Sequence, residues 1–127
     1  VPVGAVMTDG DGTIIAADGN RMRELADPTA HAEMLVIREA AAALGQIRLT
    51  DCDLHVTLEP CPMCAQAVSL ARLRRLYYGA ADSKSGAVDH GPRLFSAISC
   101  HHAPEVYGGI GEKQASALLV RFFRDRR

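Results

Sequence analysis

Two short motifs constrain this chain more than any other feature of its sequence. The first is His31-Ala32-Glu33, and the second is Pro60-Cys61-Pro62-Met63-Cys64. Together they supply one imidazole and two thiols, which are side chains that bind zinc, whereas a closed structural zinc site needs four protein ligands. A fourth tetrahedral position therefore stays open for water or substrate. The fold must bring both motifs to one point, and the pattern predicts a hydrolytic zinc site.

The spacing within each motif predicts how the side chains reach the ion. His31 and Glu33 are two positions apart, about 200° around an ideal helix, so both can approach one ion only beyond the helix end. Cys61 and Cys64 are three positions apart and share one face at the start of a second helix. Two helix N-termini then favour thiolates and a bound hydroxide. Glu33 is not needed as a ligand, so we predict that it carries protons for a zinc-bound water.

Other interpretations of these residues fit the pattern less well. A Cys-x-x-Cys pair also occurs as a redox motif or as half of a structural zinc site. A redox motif needs no His-x-Glu, and a structural site needs a fourth protein ligand. The remaining histidines have no companion ligands at suitable spacing, and we leave them out of the metal site; they are His55, His90, His101 and His102. We expect His55 to be a packed strand residue.

Alternating apolar residues, helical spacing and turn signals predict an α/β fold. The predicted strands cover residues 3–8, 13–17, 54–58, 73–80 and 105–107. The predicted helices run from a cap at Asp27-Pro28 to Gly45, from Pro60 through Leu70, over 92–98 and over 112–126. This order predicts a three-layer α/β/α domain, in which helices flank a central five-stranded mixed sheet whose last two strands are parallel.

Length, composition and charge set further limits. The chain has 127 residues, of which 48% are hydrophobic, and shows no linker-like stretch, so we expect one domain over residues 1–127. No apolar run is long enough to span a bilayer and no signal-peptide pattern is present, so we expect a cytoplasmic protein without a membrane partner. Cys52 and Cys100 are then expected to be small buried hydrophobic residues, with a disulfide between them as the less favoured alternative. The net charge of −1 excludes a strong overall basic field, although arginines cluster locally.

Beyond the two motifs, several further stretches carry a family resemblance. The chain resembles the zinc-dependent nucleobase deaminases, and within them the bacterial tRNA-specific adenosine deaminases; the similar stretches are 1–6, 19–21, 27–33, 56–61 and 78–87. The resemblance implies a cytidine-deaminase-like fold. It also implies a helix ahead of the first strand. Because this sequence begins on that strand at Val1, we expect the N-terminal helix to be absent from it.

The resemblance further implies an activity, which is the hydrolytic deamination of adenosine to inosine at the wobble position of a tRNA anticodon. The enzyme would be a homodimer that binds the anticodon stem-loop and needs no organic cofactor. One zinc ion per subunit would be held by His31, Cys61 and Cys64. Glu33 would carry protons while the activated water attacks C6 of the adenine. The substrate-binding residues implied by the resemblance are Asn20, Ala32, Asp82, Lys84, Phe123 and Arg124.

Several of these residues could have simpler roles, and the chain could have other functions. The Gly19-Asn20 pair is typical of a turn, and Asp82 and Lys84 could be ordinary loop charges. A deaminase of free guanine or cytosine would share the zinc residues, but it would need a closed pocket and no basic rim. A zinc-stabilised tRNA-binding subunit without catalysis would have no use for Glu33.

Overall fold

A five-stranded mixed sheet organises the fold. The computed structural model describes residues 3–111, and its strands are β1 (Gly4–Thr8), β2 (Ile14–Gly19), β3 (Asp53–Leu58), β4 (Arg75–Ala80) and β5 (Glu105–Tyr107). Their order across the sheet is β2-β1-β3-β4-β5. β1 is antiparallel to both β2 and β3, whereas the β3–β4 and β4–β5 pairs are parallel. The predicted mixed sheet and its parallel last pair are confirmed.

Helices cover one face of this sheet. Within residues 3–111, the helical elements are α1 (Met22–Leu25), α2 (Ala32–Leu44), α3 (Pro62–Leu70) and a 3₁₀ turn (Leu94–Ser96). Large buried side chains of the sheet face those of α2 and α3; they include Met7, Leu54, Leu76, Val36 and Val68. Burying each such side chain contributes about 1.5–3 kcal/mol, so this apolar layer anchors both long helices. Among residues 3–111, no helix is long and apolar enough to cross a membrane.

The opposite face of the sheet is only partly buried in the described part of the chain. Val6, His55 and Tyr77 lie side by side there on neighbouring strands, and all three are half-buried. The predicted helix over 112–126 lies outside the described residues.

The long helix α2 begins later than the sequence pattern predicts. The prediction of a cap at Asp27 is wrong, because the helix begins at Ala32 with His31 as its N-cap residue. The Asp27 carboxylate instead accepts the N–H of Thr29 at 2.8 Å and the Thr29 hydroxyl at 2.7 Å. Aspartate commonly satisfies a local turn in this way in place of a helix start. Gly45 ends the helix as predicted, with a left-handed φ of +64°.

Left-handed residues shorten two other predicted elements. β4 begins at Arg75, two residues later than predicted, because Arg72 takes a φ of +58° and turns the chain. The predicted helix over 92–98 is only the 3₁₀ turn, which follows Arg93 at a φ of +43°. Such backbone conformations are rare outside glycine and leave no mark in a hydrophobic pattern. The four-residue helix α1 was not predicted either.

The carboxyl ends of β3 and β4 form the edge of the sheet that carries the site. Leu58 at the end of β3 pairs with Ala80 at the end of β4. Just beyond, the N–H of Glu59 donates to the Ala80 carbonyl at 2.8 Å, and the N–H of Ala87 donates to the Pro60 carbonyl at 2.9 Å. Parallel pairing therefore brings the turn into α3 and the loop after β4 together.

Candidate active site

The three sequence-predicted metal ligands lie together at two helix starts. His31 is the N-cap residue of α2, Cys61 is the N-cap residue of α3, and Cys64 lies in the first turn of α3. Nδ1 of His31 lies 3.7 Å from Sγ of Cys61 and 3.5 Å from Sγ of Cys64. All three ligand atoms lie within 4.8 Å of one another. The fold thus brings both motifs to one point, at the ends of the helices.

The three atoms fit a zinc ion. Zinc binds imidazole nitrogen at about 2.0–2.1 Å and thiolate at about 2.3 Å in a tetrahedron, which sets an N–S separation of about 3.6 Å. The observed separations of 3.5 and 3.7 Å agree with that value. Within residues 3–111, no further His, Cys, Asp or Glu joins the group. A bound zinc ion would therefore keep one position for a ligand other than these side chains.

The two sulfurs have opposite pKa shifts. A hydrogen bond from the Cys64 thiol lowers the pKa of Cys61 to about 5 against the effect of burial, and the N–H groups of Cys64 and Met63 and the charge of His31 add to the lowering. The same hydrogen bond raises the pKa of Cys64, and burial and the Glu33 carboxylate raise it further. The protein alone thus favours one thiolate, and a cation is needed to hold both sulfurs in that form.

Glu33 is a buried carboxyl beside the metal residues. It is the second residue of α2 and is only 4% exposed. Burial raises the pKa of Glu33 above its ordinary value, and its own N–H and a hydrogen bond with Cys64 only partly oppose this shift. A carboxyl with a raised pKa takes up and releases protons more readily at working pH than a solvated one. These surroundings suit a proton carrier.

A cavity of about 230 Å³ adjoins these residues. Its lining includes residues predicted as metal ligands, as proton carrier and as substrate contacts: His31, Cys61, Glu33, Asn20, Ala32 and Asp82. The volume lies below the range of about 300–1,000 Å³ that is typical of sites for drug-sized ligands. The cavity therefore suits one small ring and not a longer stretch of nucleotides.

Asn20 both forms a turn and lines the cavity. Its Oδ1 accepts the N–H of Met22 at 3.0 Å, and its Nδ2 lies 3.5 Å from the Met22 sulfur. The N–H of Asn20 donates to the Val3 carbonyl at 3.2 Å. The turn interpretation therefore describes the structure. Asn20 also lines the cavity with Met22 and Val3, and its contact with substrate stays a prediction.

Asp82 begins the loop that forms one side of the cavity, residues 82–90, called here the wall loop. Its Oδ1 accepts the N–H of Lys84 at 3.1 Å and of Ser85 at 2.9 Å, which fixes the first turn of the loop. Ser85 lines the cavity although it was not predicted, and the Lys84 side chain is exposed. Phe123 and Arg124, the other two predicted contacts, lie outside the described residues.

Glu59 is a further cavity residue that sequence analysis missed. It lines the cavity, and its side chain has no exposed area. Its carboxylate accepts hydrogen bonds from the wall loop alone among residues 3–111. One signal was available in the sequence. A glutamate at the end of a buried strand, directly before the cysteine motif, needs strong partners because an unpaired buried carboxylate is costly.

The histidines left out of the metal site have other partners. His55 stacks on Tyr77 with 4.8 Å between ring centroids, and its Nε2 lies 3.1 Å from the Thr8 hydroxyl, as expected for a packed strand residue. His90 donates from Nδ1 to the Glu59 carboxylate. His102 donates from Nε2 to a backbone carbonyl at 2.7 Å. None of these three belongs to the metal group of the described residues.

Comparison with known proteins agrees with this site. Residues 1–80 match the family model of the cytidine and deoxycytidylate deaminase zinc-binding region. The chain belongs to this family of zinc-binding deaminases. Within it, the chain is similar to the tRNA-specific adenosine deaminase of Agrobacterium fabrum, at 60% identity over 127 residues that cover 100% of this chain and 83% of that protein. The resemblance noted in the sequence is confirmed.

Solved structures of two kinds of deaminase are similar to this chain to different degrees. A structure from work on A-to-I editing by tRNA:A34 deaminases at the wobble position of transfer RNA has a TM-score of 0.89 and 59% identity, covering 91% of this chain and 83% of that chain. The guanine deaminase of Nitrosomonas europaea has a TM-score of 0.80 and 25% identity, covering 94% and 71%. Both confirm the cytidine-deaminase-like fold, and the likeness to the tRNA deaminase is greater.

Proposed function

We propose that this chain catalyses the hydrolytic deamination of adenosine to inosine at the wobble position of a tRNA anticodon. The main support is the group formed by His31, Cys61 and Cys64, next to a cavity that the buried Glu33 also lines. This arrangement occurs in a chain that is 60% identical along its whole length to a tRNA-specific adenosine deaminase. The catalytic unit is one domain over residues 1–127, and it acts on tRNA in the cytoplasm.

Nδ1 of His31 and Sγ of Cys61 and Cys64 would hold one zinc ion per chain. Bound zinc supplies Lewis-acid activation of water at neutral pH. The protein contributes the ligand geometry and part of the charge balance. N–H groups in the first turn of α3 stabilise the Cys61 thiolate, as expected at the positive end of a helix.

Glu33 carries the protons of the reaction. Deamination adds water at C6 of adenine and releases the exocyclic amine as ammonia, so a proton must leave the water and protons must reach the ring and the leaving amine. A carboxylate oxygen of Glu33 takes up the first proton and passes it to the ring. It then takes the remaining proton of the hydroxyl group added at C6 and passes it to the amine, which leaves as ammonia while the C6 carbonyl forms. Burial supports this cycle, because it raises the pKa of Glu33.

The target base enters the cavity, and the rest of the anticodon loop stays outside it. Asn20, Ala32 and Asp82 contact the base or its sugar from the cavity walls, which they line. Lys84 is exposed next to Asp82 and contacts a phosphate. An unpaired loop suits this arrangement, because its bases can be turned outward at little stacking cost.

The active form is a homodimer. Leu70 at the end of α3 is 70% exposed, and Ile98 follows the 3₁₀ turn that contacts α3 and is fully exposed. Large exposed apolar side chains on contacting elements support an association surface. Light scattering after gel filtration tests this state, and a monomeric mass at micromolar concentration would contradict it.

A deamination assay on three substrates tests the proposed function. An anticodon stem-loop with adenosine at the wobble position should be converted to inosine, whereas free guanine and cytosine should be poor substrates. Glu33→Ala is the matched control, since it should keep zinc and bind the stem-loop without converting it. Efficient turnover of guanine with no conversion of the stem-loop would favour a free-base deaminase instead, the alternative supported by the likeness to a guanine deaminase.

A further inference from the structure

Glu59 lies between the metal residues and the wall loop and has no role in the proposed chemistry. It follows Leu58, the last residue of β3, and precedes Cys61 by two positions. Its side chain is completely buried, which is rare for an ionisable group. A carboxylate in such a place is retained only where strong hydrogen bonds replace its lost hydration.

All the hydrogen bonds that the Glu59 carboxylate accepts in the described part of the chain come from the wall loop. Oε2 accepts the N–H groups of Val88 at 3.1 Å, Asp89 at 2.9 Å and His90 at 3.1 Å. Oε1 accepts the N–H of Asp82 at 3.1 Å and the ring Nδ1–H of His90 at 2.7 Å. Both ends of the loop therefore donate hydrogen bonds to the same carboxylate.

Steric fit adds to these hydrogen bonds. A Cβ at Gly86 would lie 2.6 Å from the carboxyl carbon of Glu59 and 2.4 Å from the Asp82 carbonyl oxygen. Both distances are too short for real contacts, so only glycine lets the loop close around the carboxylate. The N–H of Ala87 donates to the Pro60 carbonyl at 2.9 Å, which ties the loop to the turn before Cys61 a second time.

We infer that Glu59 is a positioning residue that sets the distance between the wall loop and the turn that carries Cys61. Asp82 and Ser85 of the wall loop line the cavity. The Glu59 backbone is continuous with the metal turn, and its carboxylate holds the loop. Glu59 therefore determines the position of the wall loop relative to the metal residues. A displacement of about 1 Å in an active site is enough to impair catalysis or binding.

The direct test is Glu59→Gln. The amide replaces one acceptor oxygen with an NH₂ group that faces N–H donors, so the loop can no longer close fully. We expect KM for the anticodon stem-loop to rise at least about tenfold while kcat changes by less than about threefold, which is the pattern for lost substrate binding. Zinc content per chain should not change. The Kd of the stem-loop, measured by fluorescence anisotropy in the Glu33→Ala background, should rise by the same factor as KM.

Asp53→Asn is the matched control. Asp53 is also a buried carboxylate, at the start of β3, and it accepts hydrogen bonds from the Arg74 guanidinium at 2.9 and 2.7 Å. It does not line the cavity. Asp53→Asn should lower thermal stability without changing KM. If Glu59→Gln also lowers stability and leaves KM and Kd unchanged, or if it loses zinc, the positioning role is wrong.

Two variants on the loop side keep the test decisive if Glu59→Gln does not fold. Gly86→Ala places its Cβ against the carboxylate and should raise KM in the same way. His90→Ala removes only the ring donor and should raise KM by a smaller factor. A folded Gly86→Ala protein with the wild-type KM would overturn the inference.

Because this role depends on the proposed function of the cavity, the wild-type protein is assayed first. If it converts guanine and not the stem-loop, the proposed substrate is wrong, and the same KM comparison is made with guanine. A raised KM for guanine in Glu59→Gln would then support the positioning role, and an unchanged one would contradict it.

Discussion

Two buried glutamates flank the metal residues, and their pKa shifts have opposite directions. Burial raises the pKa of Glu33, because hydrogen bonds with its own N–H and with Cys64 only partly offset the lost hydration. Burial acts in the same direction on Glu59, but the N–H groups of the wall loop and the His90 ring outweigh it and hold the pKa of Glu59 below its ordinary value. The number of fixed donors thus decides whether a buried carboxyl exchanges protons or stays an anion.

The backbone around each residue explains this difference. Three successive N–H groups, those of Val88, Asp89 and His90, converge on Oε2 of Glu59. Such a concave run of N–H groups is an arrangement that binds anions. Both glutamates line the cavity, and we propose that substrate completes the surroundings of Glu33. One glutamate is satisfied within the protein, and the other is left for the reaction.

The largest expected effect comes from removing the metal ligands. In a Cys61→Ser, Cys64→Ser double variant, zinc content should fall from one per chain to near zero and deamination should stop. Stability should also fall, because metal-binding energy is folding energy. Metal analysis and thermal unfolding measure both. The Glu59 contribution to stability should persist in this background, since its partners are N–H groups and not the metal. Full zinc occupancy in the double variant would contradict the ligand assignment.

The second-largest effect distinguishes Glu33, the proposed proton carrier, from Glu59, the buried anion. Glu33→Gln should lower kcat by about 10²–10⁴, the range typical of general acid–base groups, while zinc and fold are kept. Its unfolding free energy should stay equal or increase, since active-site groups are commonly held at some cost in stability. Steady-state kinetics and urea unfolding check the two parts. Near-normal turnover would remove Glu33 from the mechanism.

The third effect is on the free energy of unfolding, where Glu59→Gln should differ from Glu33→Gln. Glu59→Gln should lower the unfolding free energy by about 2–3 kcal/mol, because hydrogen bonds to a buried charged group are lost and N–H donors are left without an acceptor. Urea unfolding with Glu33→Gln as the control measures the contrast. Equal stability of the two variants would show that the hydrogen bonds to Glu59 contribute nothing that Glu33 lacks.

The smallest expected effect concerns the surface of the wall loop. Lys84→Ala should weaken stem-loop binding a few-fold and reduce the slope of log Kd against log salt by about one, as for loss of one phosphate contact. Glu59→Gln should weaken binding without changing that slope. Titrations at several salt concentrations make this distinction. An unchanged slope for Lys84→Ala would show that Lys84 does not contact a phosphate.

The local sequence pattern predicted much of the fold correctly, and its errors occur at particular residues. The hairpin of β1 and β2, the end of α2 at Gly45 and the parallel pairing of β4 and β5 follow from turn chemistry and from the crossover that parallel strands require. Asp27 was wrongly assigned as a helix cap because its carboxylate closes a turn with Thr29 instead. Arg72 and Arg93 take left-handed conformations that no hydrophobic pattern reveals.

In the site, too, some features follow from local sequence and others from the tertiary structure. By itself, the sequence determined the metal-binding and proton-carrying candidates, because ligand chemistry and spacing within His31-Ala32-Glu33 and Cys61–Cys64 are properties of short segments. Only the tertiary structure decided the role of Glu59. Its partners lie 23 to 31 positions further along the chain, and most of them are backbone N–H groups. Backbone donors are the same at nearly every residue, so only their positions in the folded chain distinguish a structural anion from a proton carrier.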